Sequence, residues 1–206
     1  MVLANSEAQG ATLSKAASKV AMGKKPEIKE IPVSSLTDCR VFADRRDMLT
    51  AFPISQDVLC LFASNIFLTE ELRFLFPENT IHVEGASVRR GEFSSLRILN
   101  PVQLQLYESY ADVVGRAADF NLGLIAIDRS PESPKFIKNI FDWSSAQLRA
   151  RRGFLLIRRY AYWRKQSQTN EIVPALNEFL RNGKFSVVGV ALNGDGKPDI
   201  LIRIGV

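Results

Sequence analysis

Histidine is nearly missing from this chain: His82 is the only one in 206 residues, and the only cysteines are Cys39 and Cys60. A Ser-His-Asp, Cys-His or HExxH arrangement would have to be built on His82, which stands between Ile81 and Val83 in a strand pattern with nothing nearby to support one. Two cysteines and one histidine also fall short of the four ligands of a structural zinc site, and their spacing matches no finger. Both cysteines lie in apolar stretches and read as reduced core thiols of a cytosolic-type protein. No run of about 18 apolar residues exists, so no helical membrane span is expected. The start, Met1-Val2-Leu3-Ala4-Asn5, lacks the layout of a secretory signal. The Gly-rich stretch from Gly85 to Gly91 contains no GxxxxGK[ST], which removes a phosphate cradle of the P-loop type.

Acidic residues are absent from one long stretch. Between Trp143 and Asn170 there is no Asp or Glu, while Arg149, Arg151, Arg152, Arg158, Arg159, Arg164 and Lys165 are all positive. The first 26 residues hold no Arg but carry Lys15, Lys19, Lys24 and Lys25 against the single acid Glu7. The net charge of +5 therefore sits in two places and points to a polyanionic partner. Residues 1–26 are poor in large apolar groups. The thin stripe Leu13, Ala16, Ala17 and Val20 cannot hold a helix alone, so this segment reads as a mobile basic arm ahead of one domain, 27–206.

What is present after Glu27 is a texture of short apolar runs separated by turn signals. Thr37–Ala43, Val58–Leu68, Thr80–Val88, Val102–Tyr107, Asn121–Asp128 and Phe154–Trp163 read as strands. Ala111–Phe120 reads either as a helix or as a crossing loop. Short helices are expected after Thr69, after the cap Ser133 with Pro134 at its first position, and from Pro174 to Leu180. The chain closes on a hairpin, Phe185–Leu192 and Ile200–Val206, around the turn formers Asn193-Gly194-Asp195-Gly196-Lys197-Pro198. That turn resembles an acidic calcium loop. It supplies only Asp195 and Asp199 as carboxylates, however, and lacks the downstream Glu, so it reads as a plain hairpin turn. About eight strands, two or three short helices in the connections and no repeating βα period predict an antiparallel jelly-roll sandwich.

The run Arg158-Arg159-Tyr160-Ala161-Tyr162-Trp163-Arg164-Lys165 mixes phosphate-binding cations with base-stacking aromatics, as single-stranded RNA requires. Alternation sends Arg158, Tyr160 and Tyr162 to one face and Arg159 and Trp163 to the other. Core or interface roles for the aromatics stay open beside the RNA-binding one.

The order of elements from Phe120 to Val206 (strand, Ser-Pro turn, short helix, aromatic-rich strand, short helix, Gly183-Lys184-Phe185, closing hairpin) resembles the C-terminal half of the jelly-roll coat proteins of small plant positive-strand RNA viruses, the cucumovirus and bromovirus group. The resemblance implies a non-catalytic capsid subunit that assembles with its own copies into a shell and packages single-stranded RNA. It implies a place in the virion and host cytoplasm, and no cofactor or metal. Phosphate contacts are assigned to Lys15, Lys19, Lys24 and Lys25 of the arm and to Arg149, Arg151 and Arg152. Two alternatives remain. One is an RNA-binding viral movement protein with a jelly-roll-like core, which Leu124-Ile125-Ala126-Ile127-Asp128-Arg129 resembles; the other is a non-viral β-sandwich binding protein or small enzyme.

Overall fold

The computed structural model describes residues 38–63, 66–85, 104–128, 134–159, 172–181, 185–194 and 197–205. Their strands are β1 (Arg40–Phe42), β2 (Asp57–Leu61), β3 (Ile81–Glu84), β4 (Leu104–Tyr107), β5 (Leu122–Ile127), β6 (Phe154–Ile157), β7 (Phe185–Ala191) and β8 (Asp199–Ile204). The helices are α1 (Arg45–Thr50), α2 (Ile66–Leu75), α3 (Tyr110–Gly115), α4 (Pro134–Arg149) and α5 (Ile172–Arg181). A 3-10 turn, Ala117–Asp119, follows α3.

All eight strands form one sheet in the order β1-β7-β8-β6-β5-β2-β3-β4. Its β1–β7, β2–β3, β2–β5, β3–β4 and β5–β6 pairs are parallel, and only β8 runs against its neighbours β6 and β7. The antiparallel jelly-roll sandwich is therefore corrected to a mostly parallel sheet with helices on both faces. The physical reason lies in β2, β5 and β6, whose sequences Asp57-Val-Leu-Cys-Leu61, Leu122-Gly-Leu-Ile-Ala-Ile127 and Phe154-Leu-Leu-Ile157 are almost wholly buried. Such near-continuous apolar runs belong to strands covered on both sides, the usual state of a parallel sheet.

One core layer packs Ile137, Ile140, Phe141 and Leu148 of α4 and Leu176, Phe179 and Leu180 of α5 onto Leu59, Ile125, Leu155 and Ile202. The other packs Met48 and Leu49 of α1 and Leu68 and Leu72 of α2 onto Val58, Cys60, Leu124 and Leu156. Asp44 caps α1 by accepting the Asp47 N–H at 2.9 Å. Ser109 and Asp112 form a reciprocal capping box at the start of α3.

Of the expected strand Val58–Leu68 only the part to Leu61 is strand, β2, and Ile66–Leu68 opens α2; the short helix after Pro134 runs for 16 residues. Strand Phe154–Trp163 stops at Ile157, and Tyr160, Tyr162 and Trp163 lie outside the described residues, as do residues 1–26. Among the described residues no helix is long and apolar enough to cross a membrane. The terminal hairpin is present as β7 and β8, with Asn193 at φ 45° in its turn, where its side-chain amide donates to Lys197 O at 3.2 Å.

Helix α4 ends in paired bonds. Gly153 N–H donates to Leu148 O at 3.0 Å and Arg152 N–H to Arg149 O at 3.3 Å, the arrangement of a Schellman motif. These bonds place Arg152, at φ 51°, where glycine usually stands, at a cost of about 1–2 kcal/mol.

Candidate functional site

The chain leaves β2 for β3 and β4 on one side of the sheet and then returns to β5 on the other. In an open parallel sheet such a reversal opens a crevice at the carboxyl ends of the strands, where ligands bind. In this protein the reversal falls between β2 and β5, which puts the candidate site at their carboxyl ends, Leu61 and Ile127.

Each strand bordering the crevice ends on a polar or strained residue. Phe62, after β2, has φ 55°, Gly85, after β3, φ 88° and Arg159, after β6, φ 52°. Glycine adopts this conformation freely, but at Phe62 and Arg159 it is strained, and strained backbone gathers at ligand sites. Glu84, the last residue of β3, is buried, and its Oε2 accepts the Phe62 N–H at 2.7 Å while its carbonyl accepts the Ala63 N–H at 3.1 Å. A β-carbon added to Gly85 would lie 3.4 Å from Ala63 N, so the ends of β2 and β3 are closely joined. Asp128 follows β5, with its N–H on Leu61 O at 3.0 Å, and its carboxylate forms a buried ion pair with the guanidinium of Arg158 at the end of β6. Arg158 Nε is buried without a hydrogen-bond partner among the described residues.

Beside Glu84 stands an aromatic wall. Phe62 stacks on Tyr110 with ring centres 6.2 Å apart, and Phe136 lies 5.9 Å from Phe62 and 5.2 Å from Tyr110. Burial, helped by the charge of Glu84, pushes the Tyr110 phenol up to about 12, so it stays protonated.

A second charged group braces the site from behind. Asp199 accepts the Arg159 N–H at 2.7 Å and an Arg45 Nη1 bond at 2.8 Å, and Arg45 Nε donates to Glu71 at 3.1 Å. Burial opposes the charge on Arg45, but Asp199 and Glu71 outweigh it and hold the guanidinium above its ordinary range.

The residues singled out from sequence fall elsewhere. Arg151 and Arg152 meet at the opposite end of the sheet, whereas Arg149 sits on the last turn of α4 with Nη2 3.5 Å from Ser145 Oγ. Lys15, Lys19, Lys24 and Lys25 are outside the described residues. His82 is a packing residue, with Nδ1 3.0 Å from the Tyr107 hydroxyl and its ring 4.8 Å from that of Phe120. Asp199 is engaged by Arg45 and Arg159 rather than by a cation loop. No group of three or more potential metal ligands occurs among the described residues. Sequence reasoning missed Glu84 as a site residue. The available signal was an acid closing an apolar strand, visible in Ile81-His82-Val83-Glu84 as in Ile125-Ala126-Ile127-Asp128.

No family model matches the chain, and no curated protein does. Its likeness is to solved structures. The O-methyltransferase TomG from Streptomyces achromogenes, in complex with SAM, is 9% identical over 78% of each chain with a TM-score of 0.57. The precorrin-6y C5,15-methyltransferase from Geobacter metallireducens is 15% identical over 78% of this chain and 86% of that one, with a TM-score of 0.53. Fibrillarin in its complex with Nop5p is 13% identical over 78% of each chain, with a TM-score of 0.54.

These findings overturn the viral coat reading. The described residues form a parallel sheet in place of the jelly roll it rested on. With the jelly roll fall the movement-protein alternative, the RNA-packaging homo-oligomeric shell, the place in the virion and the expectation of a chain without catalysis. The sheet order, the single reversed strand β8 and these likenesses together give a Rossmann-like fold, shared with these solved methyltransferase structures.

Proposed function

We propose that the chain is an S-adenosylmethionine-dependent methyltransferase with its cofactor site at the crevice between β2 and β5. The observation that carries this reading is the buried carboxylate of Glu84 at the end of the strand after β2, beside the Phe62 and Tyr110 rings. In nucleotide-binding α/β folds an acid about 20 residues beyond the first strand's turn takes the ribose hydroxyls. Glu84 Oε2 accepts the Phe62 N–H at 2.7 Å, which fixes the carboxylate at the end of the strand beside the aromatic rings.

The residues present suit a nucleoside better than a dinucleotide. After β2 the sequence runs Phe62-Ala63-Ser64-Asn65 and carries none of the glycines that let backbone approach a pyrophosphate. S-adenosylmethionine has no phosphate and does not need that approach. Glu84 would hold its ribose, and the rings of Phe62, Tyr110 and Phe136 provide an apolar wall for its base. When bound, the cofactor supplies an electrophilic methyl group on sulfonium. The Asp128–Arg158 pair borders the crevice at the ends of β5 and β6, and Arg158 Nε offers a hydrogen bond to an acceptor there.

The test is calorimetric titration with S-adenosylmethionine and S-adenosylhomocysteine. Glu84→Gln keeps an acceptor for Phe62 N–H but removes the charge-assisted bonds to the diol, so affinity should fall about 10–100-fold, the equivalent of roughly 1.5–3 kcal/mol. Failure of the unaltered chain to bind either compound would reject the reading.

A further inference from the structure

At the opposite pole, where the parallel strands begin, lies a cavity of about 240 Å³ lined by Gln56, Arg151, Arg152, Gly153, Phe154 and Arg203, together with Pro53 and Gly123. Three arginines converge on it from two elements distant in sequence, the α4–β6 loop and β8. No acid lines the cavity, and no carboxylate pairs with any of the three guanidiniums among the described residues. We propose that this cavity is a phosphate-binding site, independent of the methyl-transfer reading.

Three observations support it. Like charges crowded together repel unless an anion or solvent lies between them, and a guanidinium fork matches phosphate oxygens in pairs. Arg203 is half-buried and held over the Phe154 ring at 5.6 Å, opposite Phe154 in the β6–β8 register, so it is anchored rather than free in solvent.

The loop carrying the other two, whose side chains are exposed, has a closely packed backbone. A β-carbon at Gly153 would meet Leu148 Cδ2 at 2.7 Å and Gly123 O at 2.9 Å, and Gly153 O accepts the Ile204 N–H at 2.9 Å. Arg152 occupies the left-handed position where glycine fits without strain. A strained residue kept in place of an easier one points to a use for its side chain.

The phosphate could arrive on a polynucleotide strand or as a free ion, and two assays on the full chain separate these sources. In the first, a fluorescein-labelled single-stranded oligonucleotide is titrated by anisotropy across a salt series. In the second, the melting temperature is followed against inorganic phosphate. The variants are Arg152→Gly, which relieves the left-handed strain and should melt no lower than the unaltered chain, and Arg203→Gln.

If strand phosphates are bound, both variants weaken oligonucleotide affinity about tenfold, and the log–log salt slope drops by about 0.7 for each phosphate no longer neutralised. If free phosphate is bound, it raises the melting temperature of the unaltered chain and does so less in both variants. Oligonucleotide affinity, salt slope and phosphate response all unchanged in both variants would overturn the proposal.

Discussion

The buried pair Asp128–Arg158 allows stability and site chemistry to be separated by experiment. The Asp128 side chain has no exposed surface, and that of Arg158 is 8% exposed. Replacing Arg158 with Met keeps the length and apolar stem but leaves the carboxylate buried without its cation. Coulomb's law at about 4 Å and an effective dielectric near 20 gives about 4 kcal/mol for such a pair. Breaking buried pairs from one side costs about 3–5 kcal/mol. Against a total stability of about 5–15 kcal/mol this is a large loss.

Adding Asp128→Asn removes the charge that has lost its guanidinium, and the double variant should recover to within about 1–2 kcal/mol of the original. Urea unfolding of the original, Arg158→Met, Asp128→Asn and the double variant, with slopes compared to confirm the same two states, gives the coupling energy directly. A loss below about 1 kcal/mol for Arg158→Met alone would show that other contacts of Asp128 carry its charge and refute the reasoning. In the recovered double variant, binding at the crevice should remain impaired, since Arg158 Nε is gone even though the fold is restored.

Gly153 and Gly205 are held by close approach, not by loop freedom alone. A β-carbon at Gly205 would lie 2.8 Å from Arg149 O at φ 86°, so Gly153→Ala and Gly205→Ala should each cost about 1–3 kcal/mol in urea unfolding. At Gly123 the closest atom is the flexible end of Gln56, at 2.5 Å, though Gln56 Cβ and N stand at 3.1 and 3.3 Å, and Gly123→Ala should cost less than either. His82 has its ionisation lowered by burial, against the opposing pull of Asp57, whose Oδ2 lies 3.7 Å from Nε2. The folded chain therefore binds fewer protons than the unfolded one near the imidazole's ordinary range. His82 should lower stability as pH falls below about 6.5, and above that value it contributes no slope. Comparing His82→Phe with the original between about pH 5 and 8 checks this, with the difference confined to the acidic side.

The terminal hairpin was legible because its signal is local. Turn formers sit between two apolar arms, and no distant contact is needed to recognise them. The parallel sheet was not legible, because the βα alternation is disguised twice. After Leu61 the run Ile66-Phe67-Leu68 resumes an apolar texture and reads as one long strand, whereas it opens α2. The helical stripe of α2 is blurred because Phe67 and Phe74 are 69% and 71% exposed while Leu68 and Leu72 are buried. In α4 the buried face continues from Phe141 through Ser144 and Ser145 to Leu148, so two small polar residues hide half of a 16-residue helix.

With both helices hidden, strands that belong to βα units look like neighbours in an antiparallel sandwich. The same error hides the site. Glu84 and Asp128 are each visible as an acid closing an apolar strand, but only a parallel sheet brings those ends to one edge, with Arg158 beside them. Arg203 joins Arg151 and Arg152 only through the antiparallel register of β8 on β6, which pairs it with Phe154. Two of the three cations lining that cavity, Arg151 and Arg152, lie in a charge run visible in the sequence. The third depends on the one reversed strand, and no local pattern could have supplied it.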